Sequence, residues 1–260
     1  MSMSVVTTCN AFHWLQFGRR MASTYRDMWP ADTEVAVYAE GFFVDVPRVA
    51  SYRFPSWFDA WKARNKSSAA TTGRDPRRNR RGRAYDYRYD CVRFAHKVAA
   101  LTDYFETENI ADLVVWADAD TLAHTRVTED WIRSFLGDAD MAWLDRSGTY
   151  PECGFMVYNA HSYGAEDFIR RLRQTYESEA VFQMRETHDS YVIQQVVGSL
   201  VAAGTLKPPA SLSGSARSTG HPFANGPLGD CLDHCKGAFK QVGRTPSNQL
   251  RGRRREGYWR

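Results

Sequence analysis

LVVWADADT, residues Leu113–Thr121, is the stretch from which the fold is read. Leu113–Trp116 is a short apolar run, the pattern of a strand buried on both faces of a sheet. It ends in Asp118-Ala119-Asp120, two carboxylates one residue apart. If strand geometry persists, both side chains leave the same edge. Ligands of open α/β sheets bind at the carboxyl ends of the strands. Paired carboxylates there suit Mg²⁺ or Mn²⁺, ions that complete their shells with phosphate oxygens. Asp also favours turns, so a plain strand-to-loop turn is the competing reading.

Working outward, Ser4–Cys9 is β-branched and apolar and reads as a first strand, broken by Asn10. His13–Met28 has helical apolar spacing, stopped by Pro30, and Val35–Gly41 reads as a second strand. Strand–helix–strand implies a parallel sheet with a right-handed crossover. A nucleotide over the end of the first strand would meet Thr7, Thr8 and Asn10. Tyr85–Glu106 returns to helical pattern, with Arg93 and Lys97 four apart on its surface and next to the proposed diphosphate site.

Met141–Leu144 and Cys153–Tyr158 read as strands, and Ser162–Glu179 and His188–Val201 as helices. Gly154 at a strand start marks a close approach. Asp189, near a helix N-terminus, is a cap or a functional carboxylate. Residues 207–229 read as loop, followed by His234, Gly237 and Lys240 at three-residue steps. His234 could supply a nitrogen to the metal, Gly237 could let backbone approach a phosphate, and Lys240 could hold its charge.

Composition fits a globular chain: 260 residues, 43% hydrophobic and 25% charged. No run of apolar residues is long enough to span a membrane, and MSMSVVTTCNAF lacks the features of a secretory signal. Cys9, Cys91, Cys153, Cys231 and Cys235 form no CxxC pair, which suits reduced thiols and a cytoplasmic setting. Cys231, His234 and Cys235 fall one ligand short of a zinc site.

The net charge of +4 is unevenly spread. Residues 64–83 hold eight Lys and Arg against Asp75 alone, and 244–260 hold six Arg against Glu256 alone. Two basic segments on an acidic body suggest a polyanionic partner, because clustered arginines neutralise phosphates and release counterions. The stretch 66–83 has almost no apolar content and reads as a mobile loop, and 244–260 as a basic tail following a domain of residues 1–243.

In chain order these pieces resemble the GT-A nucleotide-sugar glycosyltransferases, most visibly glycogenin and its relatives. The likeness is carried by His96-Lys97-Val98, the DADTL core of Val114–Leu122, Glu152–Asn159 (ECGFMVYN), His188-Asp189-Ser190 and His234-x-x-Gly237-x-x-Lys240. The Asn that the family carries before the Gly is absent here. The resemblance implies a single Rossmann-like mixed sheet flanked by helices, with the DxD motif at the end of a central strand. It implies a UDP-sugar donor and Mn²⁺ or Mg²⁺ held by Asp118, Asp120 and His234. Asp118 would also contact the nucleotide-sugar, as would Arg93, Lys97, Gly237 and Lys240. Glu152 or Asp189 would serve as an acceptor-side base in an inverting reaction.

A narrower likeness joins Tyr85–Ala99 (YDYRYDCVRFAHKVA) and the ECGFMVYN strand to phage glycosyltransferases related to the enzyme that makes base J. It implies glucose transfer to a 5-hydroxymethylpyrimidine in DNA, reached by base extrusion, with Tyr85, Tyr87 and Tyr89 available to stack. Arg77, Arg78, Arg80, Arg81, Arg253, Arg254 and Arg255 would then contact the DNA backbone. Two alternatives stand beside this reading: a glycosyltransferase with a glycan or protein acceptor, and a metal-dependent nuclease or DNA-binding protein. The glycogenin likeness points to retention and the base J likeness to inversion. Oligomeric state is not legible.

Overall fold

The computed structural model describes residues 2–77, 84–245 and 249–250. In chain order the elements begin with β1 (Met3–Asn10), a helical segment opened by α1 (Ala11–His13) and continued as α2 (Arg19–Met28), β2 (Glu34–Glu40), β3 (Val49–Tyr52), α3 (Ser56–Asn65) and α4 (Cys91–Tyr104). Next come β4 (Leu113–Ala117), β5 (Thr121–Ala123), α5 (Glu129–Leu136), β6 (Met141–Leu144), β7 (Glu152–Asn159), α6 (Tyr163–Glu177) and α7 (Asp189–Ala203). The chain closes with β8 (Ala210–Ser211), α8 (Pro222–Asn225), β9 (Leu232–His234) and α9 (Phe239–Val242).

Seven strands form one mixed sheet in the order β3-β2-β1-β4-β7-β6-β8. β1 pairs in parallel with β2 and β4, as the strand–helix–strand opening requires, whereas β7 is antiparallel to both β4 and β6. β4 lies at the centre with all five residues buried. Its alternate side chains enter opposite cores: Val114 and Trp116 join the side covered by α4, α6 and α7, and Leu113, Val115 and Ala117 the other. Burial on both faces explains why its apolar run is continuous rather than alternating.

The helix expected over Tyr85–Glu106 is shorter. The Asp90 carboxylate accepts the Arg93 N–H at 3.2 Å and caps the helix, so α4 starts at Cys91 and Tyr87–Tyr89 forms a separate 3₁₀ turn. The expected loop over 207–229 contains β8, α8 and two 3₁₀ turns. Residues 71–75, read from sequence as part of a mobile loop, are pinned to the approach of α4. The Gly73 N–H donates to Tyr89 O at 3.1 Å, its carbonyl accepts the Asp86 N–H at 2.8 Å, and the Val92 N–H reaches Thr71 O at 3.1 Å. Gly73 has φ +69°, and a Cβ there would lie 2.6 Å from Asp86 O, so only glycine fits.

All five cysteines are free thiols. Among the described residues no helix is long and apolar enough to cross a membrane.

Phe155 sits on β7 with no exposed surface and packs edge-on against Phe223 at 5.9 Å. Phe155→Ala is expected to cost about 3–5 kcal/mol in a urea denaturation series; a loss below about 1 kcal/mol would contradict this placement of the core.

Candidate active site

The chain leaves β4 in a turn rather than an extended strand. Asp118 N–H donates to Gly154 O at 2.8 Å, and the Thr121 N–H returns to Asp118 O at 3.0 Å. The expectation that strand geometry projects both carboxylates is therefore replaced by a turn that achieves the same convergence. After the turn, β5 pairs antiparallel with β9, with Thr121 opposite His234. This two-stranded ladder carries the C-terminal histidine to the Asp-x-Asp turn. Ligand atoms of Asp118, Asp120 and His234 lie within 4.8 Å of one another.

Asp118 Oδ1 accepts the Trp116 indole N–H at 2.8 Å and lies 3.0 Å from Lys97 Nζ. Asp120 Oδ1 lies 3.1 Å from His234 Nε2, and its Oδ2 lies 2.6 Å from Lys240 Nζ. Burial opposes charge on Asp120, but His234 and Lys240 outweigh it and hold the carboxyl below its usual range. Burial likewise opposes protonation of His234, yet Asp120 and Glu152 raise it to about 9.

A Cβ on Gly154 would fall 3.0 Å from His234 Cε1 and 3.4 Å from Asp118 Oδ2, so this glycine gives the cluster its room. Two carboxylates and an imidazole in this cradle fit Mg²⁺ or Mn²⁺. Among the described residues no other group of three His, Cys, Asp or Glu converges in this way, and Cys231 and Cys235 stand outside the cluster.

Asp118 and Asp120 of the cluster line a cavity of about 530 Å³ at the carboxyl ends of β1 and β4. Thr8, Asn10, Arg93, Lys97, Asp189 and Lys240 contribute to its wall, as the sequence expected. Thr8 Oγ1 donates to Tyr38 O at 3.0 Å, and Asn10 Oδ1 accepts the His13 N–H at 2.8 Å. Thr7 does not line the cavity and is buried at 1% exposure. Gly237 has φ +58° in the turn before α9, the conformation that a glycine adopts without strain.

Lys97 is not the surface cation that the four-residue spacing with Arg93 suggested. It is buried, donating to Asp189 Oδ2 at 2.5 Å and Cys153 O at 2.7 Å, with Trp116 beneath it at 5.2 Å. Burial works against both charges, but Asp118 and Asp189 raise Lys97, and Lys97 lowers Asp189. Asp189 is the first residue of α7, with His188 in the cap position, so it is a salt-bridge partner rather than the cap. Arg93 remains exposed, 3.4 Å from the Tyr85 hydroxyl.

Glu152, expected beside an acceptor, lies instead behind His234. Its Oε1 is 2.9 Å from His234 Nδ1 and 2.8 Å from Lys236 Nζ, and Arg146 pairs with the other oxygen. Burial raises its cost of ionisation, but these three cations hold it well below the usual carboxylate range.

Sequence reasoning missed Glu40, which lines the cavity from the end of β2. It pairs with Lys62 and lies 3.3 Å from His96 Nε2. An acidic residue closing the second strand of a doubly wound sheet is a signal for ribose recognition and was available in the sequence.

Of the residues assigned to DNA contacts, Arg77 is exposed and bonded to Asp75 at 3.1 Å. Arg78, Arg80, Arg81, Arg253, Arg254 and Arg255 lie outside the described residues.

No protein-family model and no curated protein sequence matches this chain. Among solved structures, the glycosyltransferase GlyE of Streptococcus pneumoniae TIGR4 matches over 100% of this chain and 59% of its own, at 14% identity and TM-score 0.51. The fold is that of the GT-A glycosyltransferases. Mouse xyloside xylosyltransferase 1 aligns over 76% of this chain and 82% of its own, at 10% identity and TM-score 0.45. The galactosyltransferase LgtC aligns over 75% and 70%, at 11% identity and TM-score 0.44.

Lys97→Met leaves Asp118 and Asp189 without their shared cation. It is expected to cost about 3–5 kcal/mol in chemical denaturation, the penalty for stranding a buried charge. A stability equal to the unsubstituted protein's would contradict the buried salt bridge.

Proposed function

We propose that this chain is a metal-dependent glycosyltransferase that moves glucose from UDP-glucose to the hydroxyl of a 5-hydroxymethylpyrimidine in DNA. The observation that carries the donor half is the cluster of Asp118, Asp120 and His234, whose two aspartates line one cavity together with Lys97 and Lys240. The GT-A fold shared with GlyE, itself described as a glycosyltransferase, supports the same class. A metal-dependent nuclease would leave Lys97, Asp189 and the His234–Lys240 segment without a task.

On this reading the nucleoside lies over Thr8, Asn10 and Glu40, and the diphosphate lies against Gly237 and Lys240. The sugar faces Asp118, Lys97 and Asp189. Asp118, Asp120 and His234 would hold Mn²⁺ or Mg²⁺, which supplies Lewis-acid stabilisation of charge on a departing diphosphate. Lys240 adds fixed positive charge at the same oxygens without reorganising. Lys97 keeps Asp189 ionised, so a carboxylate faces the sugar as positive charge develops at C1. The acceptor oxygen bonds to C1 as the C1–O bond to the β-phosphate breaks, UDP leaves with the electron pair, and Asp189, the candidate carboxylate that lines the cavity, takes the hydroxyl proton.

The acceptor half rests on charge and position. The basic segment 64–83 is tied at Gly73 to the turn before α4, whose Asp90 and Arg93 reach the cavity wall. The basic tail follows Thr245, whose N–H donates to Asp233 beside His234 at 2.9 Å. Among the described residues of the two segments, Gly73 and Thr245 are thus tied to elements that carry site residues, and the arginines beyond them would grip the phosphate backbone. Tyr85 and Tyr87, 40% and 54% exposed, offer stacking faces for an extruded base.

With Mn²⁺ and UDP-glucose, hydroxymethylpyrimidine DNA should stimulate UDP release, and Asp120→Ala should abolish that release. Slow UDP release indifferent to DNA would remove the DNA acceptor and keep the transferase; failure to bind any nucleotide-sugar would remove both. Replacing Arg77, Arg78, Arg80 and Arg81 by Gln should flatten the salt dependence of DNA binding by about 0.9 in log–log slope per lost phosphate contact. An unchanged slope would clear these arginines of that role.

A further inference from the structure

Glu152 is a buried acid with no access to the cavity, yet it touches the one histidine of the metal-ligand cluster. Its location follows from the sheet. β6 and β7 run antiparallel with a register shift between Trp143 and Leu144, and Leu144 then stands opposite Glu152. That shift brings Arg146, two residues beyond Leu144, against the carboxylate. β9 comes in from the other side through its pairing with β5, so His234 arrives with Nδ1 2.9 Å from Glu152 Oε1 and Nε2 3.1 Å from Asp120 Oδ1. The imidazole is therefore held between two carboxylates on its two nitrogens. Gly154 packs against Cε1, and the Phe223 ring lies 5.2 Å away.

We propose that Glu152 is the positioning residue of His234: its carboxylate, 2.9 Å from Nδ1, favours the proton on that nitrogen, leaves the Nε2 lone pair to face Asp118 and Asp120, and so sets the site's affinity for a divalent cation. This rests on the metal-site reading above. A carboxylate on the far nitrogen of a ligating histidine orients the ring and raises its basicity as a ligand. Arg146 and Lys236 complete the arrangement, because they keep Glu152 charged in a buried setting. Arg146, Lys236 and the His234 ring together remove Glu152 from acid–base work: both its oxygens are engaged, and neither lines the cavity where an acceptor proton must be taken.

The test is Mn²⁺ affinity, followed by electron paramagnetic resonance of free Mn²⁺ in the presence of UDP, with the melting temperature measured in parallel. Glu152→Gln keeps the shape but removes the charge, and leaves Arg146 and Lys236 uncompensated near the cluster. It should bind Mn²⁺ about 10–100-fold more weakly than the unsubstituted protein. Glu152→Asp keeps the charge and draws it away from Nδ1, and should weaken binding in the same direction; it also replaces the first variant should Gln prevent folding. Mn²⁺ affinity in a folded Glu152→Gln or Glu152→Asp protein equal to that of the unsubstituted protein overturns the proposal. Absence of Mn²⁺ binding by the unsubstituted protein overturns the metal site itself.

Discussion

Everything at the candidate site depends on a three-residue antiparallel ladder. β5 follows the Asp-x-Asp turn directly, and β9 ends in His234, so their pairing joins a motif from the middle of the chain to one near its end. The seven-stranded sheet could form without this ladder, but the carboxylates would then lack their imidazole and Lys240. Three further bonds hold the pairing in place. Cys235 N–H donates to Asp120 O at 2.9 Å, His124 N–H to Cys231 O at 2.9 Å, and Tyr25 on α2 meets Thr121 through their hydroxyls at 2.9 Å.

The second constraint is charge. Asp118, Asp120, Glu152 and Asp189 lie within a short span, a concentration of negative charge that burial makes costly. The chain offsets it with Lys97 between Asp118 and Asp189, Lys240 on Asp120, His234 between Asp120 and Glu152, and Arg146 with Lys236 on Glu152. Each carboxylate therefore has a cation before any ligand enters. On the proposed reading, a divalent cation held by Asp120 and His234 would compete with the contacts these groups make to each other and to Lys240, and Lys240 would then be available to a phosphate.

Legibility in the sequence followed the length of each pattern. β1, β2, β4 and β7 were readable because burial on both faces writes a continuous apolar run, and α6 and α7 because their apolar spacing persists over fifteen residues each. The Asp-x-Asp turn and the His234–Lys240 steps could be paired in order. β5 and β9 could not be seen, because three residues hold too little periodicity to mark a strand. Lys97 was misplaced for a different reason: on α4 its spacing suits the surface, and only the tertiary approach of Asp189 makes burial tolerable. Glu152 carries the same lesson, since its partners come from two segments: Arg146 from the stretch after β6, and His234 and Lys236 from the end of β9.

The account's central claim is that Asp118, Asp120 and His234 form one divalent-metal site within a nucleotide-sugar pocket. Crystals grown with Mn²⁺ and UDP, with diffraction recorded at the manganese absorption edge, test it most directly. The account predicts one anomalous peak within ligand distance of Asp120 and His234, with a diphosphate oxygen on its far side. A UDP bound over Thr8 and Asn10 with no manganese at the cluster, or a manganese held elsewhere, would contradict it.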